Sequence, residues 1–507
     1  MKIDVYSHGF VVTKLANAHE KHALEKFCGP LILFEEKTFE GGMTRMVPSK
    51  TFAASNAGRE YYRFHVNLLK EFQHTMAYHQ IKREAIEIQH HPVVMDESFN
   101  VHFVERELNV PRDYQDEIID YIVQPGSNKV ITLQAGGGKT TIAQHAMKRL
   151  GYRTSIMMKG GYLDQWVGVL DNSFKFERGA LVKIQGSTSL HTVMQMAIDG
   201  DQLPDVMLIS INTFSEYIRD YERNGVTKLY PIPPHEFFET MKIGLNIFDE
   251  GHQFPHQVMK LFVYTHIEKF VTLSATLETR NKFMNRIYEI MYPRCDRFDA
   301  GYRKVYISAS AVYWQLKDSK SIRYTGYKGA YSHVKFEESM LLHKNKKVLA
   351  NYVDMICEFA ESEFIHHMEK GQKMLIFCAT VKFCTMLQKE FKKRYADMNT
   401  VRYVSADKRT VMDDADIIIS TVLSAGTAVD IPNLRVTWMT TAIDSQQANE
   451  QALYRTRPLK DWPDIRPRFI YSCCTTIEKH MRYHRNKEQA WKGLVLEHGV
   501  MQSPITV

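Results

Sequence analysis

The sequence predicts an α/β protein in which two doubly wound parallel-sheet domains follow a small α+β module. Short apolar runs, each followed by a polar loop, are typical of parallel strands covered on both faces. Such runs alternate with helical patterns from about residue 105 and recur after residue 345. They lie at 130–133, 155–158, 206–211, 245–248 and 271–273, and again at 374–377, 401–404, 417–421, 436–439 and 469–472. Only the first domain carries a glycine-rich phosphate loop, so we expect one phosphate-binding domain of the two.

Composition narrows the class of protein. The 507 residues are 44% hydrophobic and 24% charged, which excludes a disordered tail protein, a collagen-like chain and a coiled coil. The N-terminus lacks the apolar core of a signal peptide, and the apolar stretch at 417–429 is too interrupted to span a membrane. The seven cysteines form no CxxC pair, so we expect a reducing, cytoplasmic compartment. The net charge of +7 is compatible with a polyanionic partner without establishing one.

Residues 1–100 are predicted to form the α+β module. The segment 2–14 is strand-like, and Asn17 is a candidate N-cap for a first helix. A second helix is expected near Asn67, followed by a strand at 86–88. The predicted boundaries are 1–100 for this module, 101–300 for the first α/β domain, 301–490 for the second and 491–507 for a C-terminal tail.

The strongest local signal is a glycine-rich loop between a predicted strand and a predicted helix. It reads Gln134-Ala135-Gly136-Gly137-Gly138-Lys139-Thr140-Thr141. Glycines let backbone N–H groups close around phosphate oxygens, and the following helix adds a favourable dipole. In such a loop Lys139 reaches the β- and γ-phosphates of ATP, and the Thr140 hydroxyl ligates Mg²⁺. The general pattern has a glycine where this sequence has Leu133, and the alternative is a glycine-rich turn in an unrelated α/β fold.

Two carboxylates, Asp249 and Glu250, follow the apolar run at 245–248. Parallel sheets bind their ligands at this end of the strands. Asp249 can hold Mg²⁺ through water, and Glu250 can polarise the water that attacks the γ-phosphate. His252 is expected to contact the far side of the site and to report the state of the nucleotide. An acidic pair at a strand end is common, but the upstream phosphate loop favours the catalytic interpretation.

With these motifs the sequence resembles the superfamily 2 helicases of the DExH type over about residues 105–490. Further short strings follow the order and spacing of that family. They are Pro111-Arg112-Asp113-Tyr114-Gln115 for the Q motif, Leu163-Asp164-Gln165-Trp166 for motif Ia, Ser274-Ala275-Thr276 for motif III, Phe377-Cys378-Ala379-Thr380 for motif IV, 425–432 for motif V and 451–457 for motif VI. The resemblance implies two tandem RecA-like domains that use ATP and Mg²⁺.

The resemblance also implies a role for each matching residue. The implied nucleotide-binding residues are Gln115, which would read adenine, and Ala135, Gly136, Gly137, Gly138, Lys139, Thr140, Thr141, Gly426 and Asp430. Implied catalytic residues are Lys139, Asp249, Glu250, Arg455 and Arg457, with Thr140 and Asp249 on Mg²⁺. Implied coupling residues are His252, Ser274, Thr276 and Gln451, and implied nucleic-acid contacts are Gln165, Trp166, Thr213, Thr380 and Thr421.

Motif VI departs from the family in two ways. The family reads Gln-x-x-Gly-Arg-x-x-Arg, whereas here Tyr454 replaces the glycine and Pro458 takes the place of the last arginine. Arg455 matches by register and is the first candidate for an arginine finger. Arg457 lies one residue early and is the second candidate. A surface salt-bridge partner is the alternative for either arginine.

The basic and aromatic segment 317–335 is a further candidate contact with nucleic acid. It interleaves Lys317, Lys320, Arg323, Lys328 and Lys335 with Tyr324, Tyr327 and Tyr331. Cations pair with phosphates and aromatic faces accept bases, so the segment is predicted to be a single-strand platform or a duplex-splitting loop. A solvated interdomain linker is the alternative.

The layout of a small module and two compact motor domains resembles the phage UvsW type of DNA helicase. The implied activity is ATP-dependent unwinding or branch migration of forked DNA, with 3′-to-5′ polarity, in recombination, repair or replication restart. The N-terminal module would recognise duplex or branched DNA. We expect the protein to be a cytoplasmic monomer. We expect it to bind single-stranded and forked DNA and not to bind a membrane. An RNA helicase with the same motor is one alternative. A nucleic-acid-binding clamp with a decayed ATPase is another, supported only by the irregular motif VI.

Overall fold

The first 300 residues do not separate into two compact bodies. The structure, a computed structural model, describes residues 1–507 except 39–43, 55–60, 135, 276, 278–281, 300, 302–304, 318–319, 327–328, 405–406, 408 and 426–430. It divides into a first unit of residues 1–37 and 45–302 and a second unit of residues 38–44 and 303–507. No boundary falls at residue 100, because His8 and His65 of the N-terminal module pack on Phe262, with ring centroids 5.5 and 4.9 Å apart.

In the part of the chain that the structure describes, the N-terminal module has a five-stranded sheet and two helices. Its elements are β1 (Lys2–Val5), β2 (Gly9–Thr13), α1 (Ala18–Cys28), β3 (Ile32–Thr38), β4 (Thr44–Lys50), β5 (Ala53–Ala54), β6 (Tyr62–His65), α2 (Leu69–Tyr78) and β7 (Glu87–His90). The sheet order is β5-β6-β2-β1-β7, and β3 pairs with β4 in a separate ribbon. Asn17 caps α1 by accepting a hydrogen bond from the Glu20 N–H at 2.9 Å, as predicted.

A parallel sheet follows within the first unit. The elements here are β8 (Val104–Glu105), α3 (Asp113–Val123), β9 (Asn128–Thr132), α4 (Lys139–Leu150), β10 (Thr154–Met158), α5 (Leu163–Ser173), β11 (Phe174–Lys175), β12 (Leu181–Ile184), α6 (Ser187–Asp199), β13 (Val206–Ser210), α7 (Ile211–Asn224), α8 (Phe237–Thr240), β14 (Leu245–Asp249), α9 (Pro255–Phe262), β15 (Lys269–Ser274), α10 (Lys282–Met291) and β16 (Arg297–Asp299). The sheet order is β12-β13-β10-β14-β15-β9-β16, and every pair is parallel. The carboxyl ends of β14, β15 and β9 are therefore neighbours at one edge.

The second unit repeats this architecture. Its elements are β17 (Ser308–Gln315), α11 (His333–Met340), α12 (Lys346–Glu363), β18 (Lys373–Cys378), α13 (Val381–Arg394), β19 (Thr400–Tyr403), β20 (Ile417–Thr421), α14 (Val422–Ala425), β21 (Leu434–Met439), α15 (Gln446–Leu453), β22 (Arg468–Cys474), α16 (Glu478–Ala490) and β23 (Glu497–Thr506). The sheet order is β19-β20-β18-β21-β22-β17-β23, again with parallel pairs throughout.

These two sheets confirm the predicted fold class. Each of the ten apolar runs coincides with a strand of the sheets, although the runs at 130–133, 206–211 and 401–404 extend one residue beyond the strand end. Every residue of β10 and β13 is buried, as expected for strands covered on both faces. No helix in the described ranges has the length and apolar content that crossing a membrane requires.

The segment 491–507, predicted as a tail, instead supplies an edge strand. β23 pairs in parallel with β17 along most of its length. Gly499 and Pro504 weaken the local strand signal of this segment, and proline is tolerated in a sheet chiefly on edge strands. Pairing with β17, which the local pattern does not contain, makes this segment a strand.

Candidate functional site

The phosphate loop joins the end of β9 to the start of α4. Lys139 is the first residue of α4, and Thr140 and Thr141 follow it in the first turn. Gly138 precedes the helix with a φ of 84°, a backbone conformation that glycine adopts without strain. The first N–H groups of a helix have no partner within the helix, which is the arrangement that binds phosphate.

Leu133 stands where the general loop pattern has a glycine, and the structure shows how it is accommodated. The side chain is 2% exposed and lies directly against Gly137. A Cβ at Gly137 would lie 2.6 Å from Leu133 Cγ. The leucine therefore fills the space that the glycine leaves, and the two residues depend on each other.

The start of α3 braces this loop. The Gln115 Nε2 donates to the Gly137 carbonyl at 2.9 Å, and the Tyr114 hydroxyl donates to the same oxygen at 2.9 Å. The Gln115 Oε1 accepts from the Arg112 N–H at 2.9 Å, and the whole residue is 3% exposed. Sequence resemblance implies that Gln115 reads adenine. In the structure both ends of its amide are engaged with backbone, so Gln115 holds the loop in shape.

Four polar side chains form a continuous chain across β9, β14 and β15. Lys139 Nζ forms an ion pair with Glu250 Oε1. Glu250 Oε2 lies 3.3 Å from His252 Nδ1, which is hydrogen-bonded to Ser274 Oγ at 2.9 Å. These side chains come from the start of α4, the end of β14 and the end of β15. The parallel sheet thus brings together Lys139, Glu250, His252 and Ser274, which are far apart in sequence.

Glu250 has a left-handed backbone, with φ 54° and ψ 45°. For a residue with a Cβ this conformation costs about 1–2 kcal/mol. Strain of this kind persists where surrounding contacts hold it, and it concentrates at functional sites. Here the contacts are the Lys139 ion pair and the hydrogen bond from the Gln253 N–H to the Glu250 carbonyl at 2.9 Å.

Burial and mutual repulsion act on the two carboxylates at the end of β14. Removal from water, and then the charge of Glu250, raises the pKa of Asp249 to about 6. A cation would relieve the repulsion between these two carboxylates. The oxygen donors of Asp249 and Thr140 fit Mg²⁺, which is commonly held by one or two carboxylates together with substrate phosphates and water. Burial lowers the pKa of His252 to about 4, so its imidazole is uncharged at neutral pH.

Trp166 lies inside this site, although the resemblance implies that it contacts nucleic acid. Its indole Nε1 donates to Asp249 Oδ2 at 3.0 Å, and the residue is 4% exposed. The buried ring offers no face to a base. Thr213 is also buried and accepts a hydrogen bond from the Gly186 N–H at 2.8 Å, whereas Gln165 is exposed.

Several implied site residues lie outside the residues that the structure describes. They are Ala135, Thr276, Tyr327, Lys328, Gly426 and Asp430.

Thr380 and Thr421 lie side by side at the carboxyl edge of the second sheet. Thr380 follows β18 and caps α13 by accepting from the Phe383 N–H at 3.1 Å. Thr421 ends β20, and its hydroxyl is hydrogen-bonded to that of Ser424 at 2.8 Å. Because β18 and β20 pair in parallel with Thr421 opposite Cys378, both threonines are at the end where such sheets bind ligands.

A buried glutamate that the motifs did not indicate shapes this edge. Glu337 of α11 is 0% exposed and accepts hydrogen bonds from the Ala379 and Thr380 N–H groups, each at 2.7 Å. Burial raises the pKa of this carboxyl to about 7, although the backbone hydrogen bonds lower it. Its position ahead of α12 and far from motif IV in sequence explains why no motif indicates it.

Motif VI lies at the end of α15. The helix carries Gln451 and ends at Leu453, and Tyr454, at the position where the family has glycine, is 7% exposed. Thr456, between the two arginines, is buried and hydrogen-bonded through its hydroxyl to that of Thr437 at 2.8 Å. This buried contact anchors Arg455 and Arg457, both half-buried, to β21.

In the described part of segment 317–335, residues 333–335 begin α11 and an antiparallel bridge precedes them. Thr325 and Tyr331 pair as an antiparallel bridge. The Tyr331 ring packs on His480 with 4.6 Å between centroids, and its hydroxyl is hydrogen-bonded to His333 Nδ1 at 2.7 Å. Tyr331 is half-buried, and these contacts hold its ring and hydroxyl against neighbouring side chains. Arg323 is exposed and Tyr324 is half-buried.

The pair of parallel sheets is similar in fold to solved structures of nucleotide-bound and RNA-bound proteins. An Mss116p deletion variant bound to single-stranded RNA and AMP-PNP has a TM-score of 0.52 and 12% identity, covering 77% of this chain and 74% of that chain. A variant of S. cerevisiae Dbp5 bound to RNA and ADP BeF3 has a TM-score of 0.51 and 12% identity, covering 78% of this chain and 90% of that chain. At this identity the likeness shows the fold alone, which is that of two tandem RecA-like domains. No protein-family model and no curated protein matches the sequence.

Replacing Gln115 by Ala should weaken the binding of ATP and of GTP by the same factor, about tenfold. Loss of a buried hydrogen bond costs about 1–3 kcal/mol, and both nucleotides need the same phosphate loop. Titration with fluorescent analogues of the two nucleotides measures the effect. Glu117→Ala, at an exposed position of the same helix, is the control. A change in the preference between ATP and GTP would assign adenine recognition to Gln115 instead.

Replacing Glu337 by Gln should lower the free energy of unfolding at pH 5 by about 1–3 kcal/mol, because the amide nitrogen of Gln cannot accept the hydrogen bond that the second carboxyl oxygen accepts in either protonation state. Urea denaturation measures this, with the exposed neighbour Glu338→Gln as the control. The loss should shrink as the pH rises from about 5 to about 8. The carboxyl ionises near 4.5 when unfolded and at about 7 when folded, so wild-type stability falls in that window. A pH-independent difference would argue against this account.

Proposed function

We propose that this chain is an ATP-driven superfamily 2 motor that acts on nucleic acid. The observation that carries the proposal is the chain of contacts from Lys139 through Glu250 and His252 to Ser274. It joins a phosphate-loop lysine, an acidic pair and a third strand end at the ligand edge of a parallel sheet. This arrangement supports hydrolysis of a nucleoside triphosphate whose state is passed on to β15.

Lys139 exchanges partners during the proposed cycle. In the structure its ammonium group is paired with Glu250. When ATP occupies the loop, Lys139 turns to the β- and γ-phosphates, and Glu250 is released to orient the attacking water and accept its proton. Asp249 and Thr140 would hold Mg²⁺, which supplies charge neutralisation on the phosphate oxygens. Trp166 keeps Asp249 in place and favours its ionised form.

The uncharged His252 is the proposed sensor. Its Nδ1 is close to both Glu250 Oε2 and Ser274 Oγ. A change in the charge around Glu250 therefore reaches the end of β15 through one imidazole. In the second unit we assign the finger that neutralises the transferred phosphoryl group to Arg455, with Arg457 as the second candidate, and a coupling role to Gln451.

The proposed substrate is DNA, with forked molecules preferred and 3′-to-5′ polarity, in recombination or repair. The support is the resemblance of the layout to the phage UvsW type, in which a small module precedes two motor domains. The protein would act as a cytoplasmic monomer. RNA is the second candidate, and a specific observation favours it. Two of the solved structures with a similar fold are those of RNA-bound proteins.

The test is ATP hydrolysis measured without nucleic acid and with single-stranded DNA, forked DNA or single-stranded RNA of equal length. We expect strong stimulation by DNA, greatest with the fork. Stimulation by RNA alone would identify RNA, the second candidate, as the substrate. Equal rates under all four conditions would contradict a nucleic-acid motor and support a clamp.

Two substitutions separate nucleotide binding from hydrolysis. Lys139→Ala should weaken ATP binding, because it removes the cation that faces the phosphates. Glu250→Gln should retain binding and lower the hydrolysis rate by about 10²–10⁴-fold, the scale of general-base catalysis. Nucleotide titration and single-turnover hydrolysis measure the two effects, and Glu177→Gln, at an exposed position, is the control. Wild-type turnover in Glu250→Gln would remove that residue from the catalytic role.

A further inference from the structure

A groove of about 600 Å³ runs between the N-terminal module and the first parallel sheet, within one compact unit. Its walls are the end of β4 and the facing sides of α7 and α9. None of its lining residues belongs to the candidate nucleotide site or to the motifs described above.

Cations dominate the groove. Its lining includes the cationic side chains of Lys50, Arg219, Arg223 and Lys260, and His256 also lines it. One carboxylate, Glu222, also lines it and is paired with Lys260 at 2.6 Å. Arg219 is paired with Glu216 on the exposed side of α7. Lys50 and Arg223 are exposed and form no ion pair with the described residues, so they retain charge for an anionic ligand.

The walls of the groove are held together by hydrogen bonds. Ser49 Oγ is hydrogen-bonded to His256 Nε2 at 2.5 Å, which ties β4 to the start of α9. Gln257 donates to Asn212 at 3.2 Å, which ties α9 to α7. Because three separate elements are fixed in this way, the cations stand on a defined surface.

The side chains of α7 that line the groove include three along one face of the helix. Ser215, Arg219 and Arg223 are four residues apart, so they share one face of α7 and span about 12 Å along its axis. Phosphates of one strand of a duplex are about 3.4 Å apart along the helix axis, so about three of them fit this length. The described lining contains no Phe, Tyr or Trp. Single-strand sites use such rings to stack bases, so the groove suits a duplex, whose bases are already stacked.

The position of the groove connects it to the motor. α7 begins at the carboxyl end of β13, and α9 begins six residues after Asp249. The groove therefore starts near the sheet edge at which ligands bind and continues away from it along two helices. A duplex arm that leaves that edge would meet Lys50 on one side and Arg223 on the other.

We propose that this groove binds the phosphate backbone of a duplex arm of the nucleic-acid substrate. The inference rests on the proposed function and extends it. It assigns a duplex-binding site to the groove between the N-terminal module and the helices α7 and α9. Contact is with phosphates, so DNA and RNA duplexes share the chemistry, and specificity for sequence is not expected.

The test compares two double variants. The groove variant carries Lys50→Ala and Arg223→Ala. The control variant has the same charge change through Lys175→Ala and Arg178→Ala, whose positions are exposed and outside the groove. Fluorescence anisotropy with a labelled DNA fork, a DNA duplex and an RNA duplex at several salt concentrations gives the dissociation constants. We expect the groove variant to weaken duplex and fork binding about tenfold, and the control to change them little. The plot of log affinity against log salt has a negative slope. Its magnitude should decrease by about 0.9 for each phosphate that the variant no longer neutralises, hence by about 2 for the double variant.

Single-strand-stimulated ATP hydrolysis, measured on the same proteins, distinguishes the two levels of inference. If the variant is stimulated like wild type but binds duplex less tightly, the groove assignment is supported. If its duplex affinity and salt slope equal those of the control, the groove assignment is overturned and the motor stands. If wild type shows no stimulation by any nucleic acid, the proposed function fails, while a reduced salt slope of the variant in anisotropy would still support the groove. Weaker binding confined to the RNA duplex would identify RNA as the source of the backbone.

Discussion

The ion pair between Lys139 and Glu250 is the contact on which the rest of the site depends. It bridges β9 and β14 across β15, the strand between them, whose last residue Ser274 completes the polar chain. The side chains are only 10% and 21% exposed, so each charge has lost much of its water. Removing one partner from such a pair leaves the other charge uncompensated. The pair thus ties the shape of the phosphate loop to the strained backbone of Glu250, and an arriving phosphate would compete directly for the lysine.

Buried amide and carboxylate groups hold the functional loops of both units. In the first unit the Gln115 amide holds the Gly137 carbonyl, and in the second unit the Glu337 carboxylate holds two consecutive N–H groups at the start of α13. Loop backbone groups that leave a sheet edge have no ladder partner, and an unsatisfied buried polar group costs about 1–3 kcal/mol. A buried polar side chain from a neighbouring helix meets this need and fixes the loop. Both loops are therefore preorganised by groups that need not touch a ligand.

The N-terminal module is part of the first compact unit. Its histidines pack on Phe262, and Ser49 is hydrogen-bonded to His256, four residues beyond His252 of the candidate site. Because the N-terminal module shares a hydrophobic core with the first parallel sheet, the two move together. A module attached only by a flexible linker would move independently of the sheet. The basic groove exists only because of this packing, since neither β4 nor α7 alone forms a concave surface. The proposed duplex contact and the nucleotide site are consequently built on one rigid framework.

The sequence by itself determined the two parallel sheets, the position of the phosphate loop and the acidic pair at the end of β14. These features are local: apolar runs, glycines before a lysine, and carboxylates directly after a strand are visible within a few residues. Only the tertiary structure decided that Trp166 faces Asp249, that Gln115 braces the loop, that Glu337 holds Thr380, and that residues 497–506 form a strand. Each of these depends on a partner that the local pattern does not identify. Such contacts follow from how helices and strands pack, because packing brings together side chains that no short-range periodicity relates.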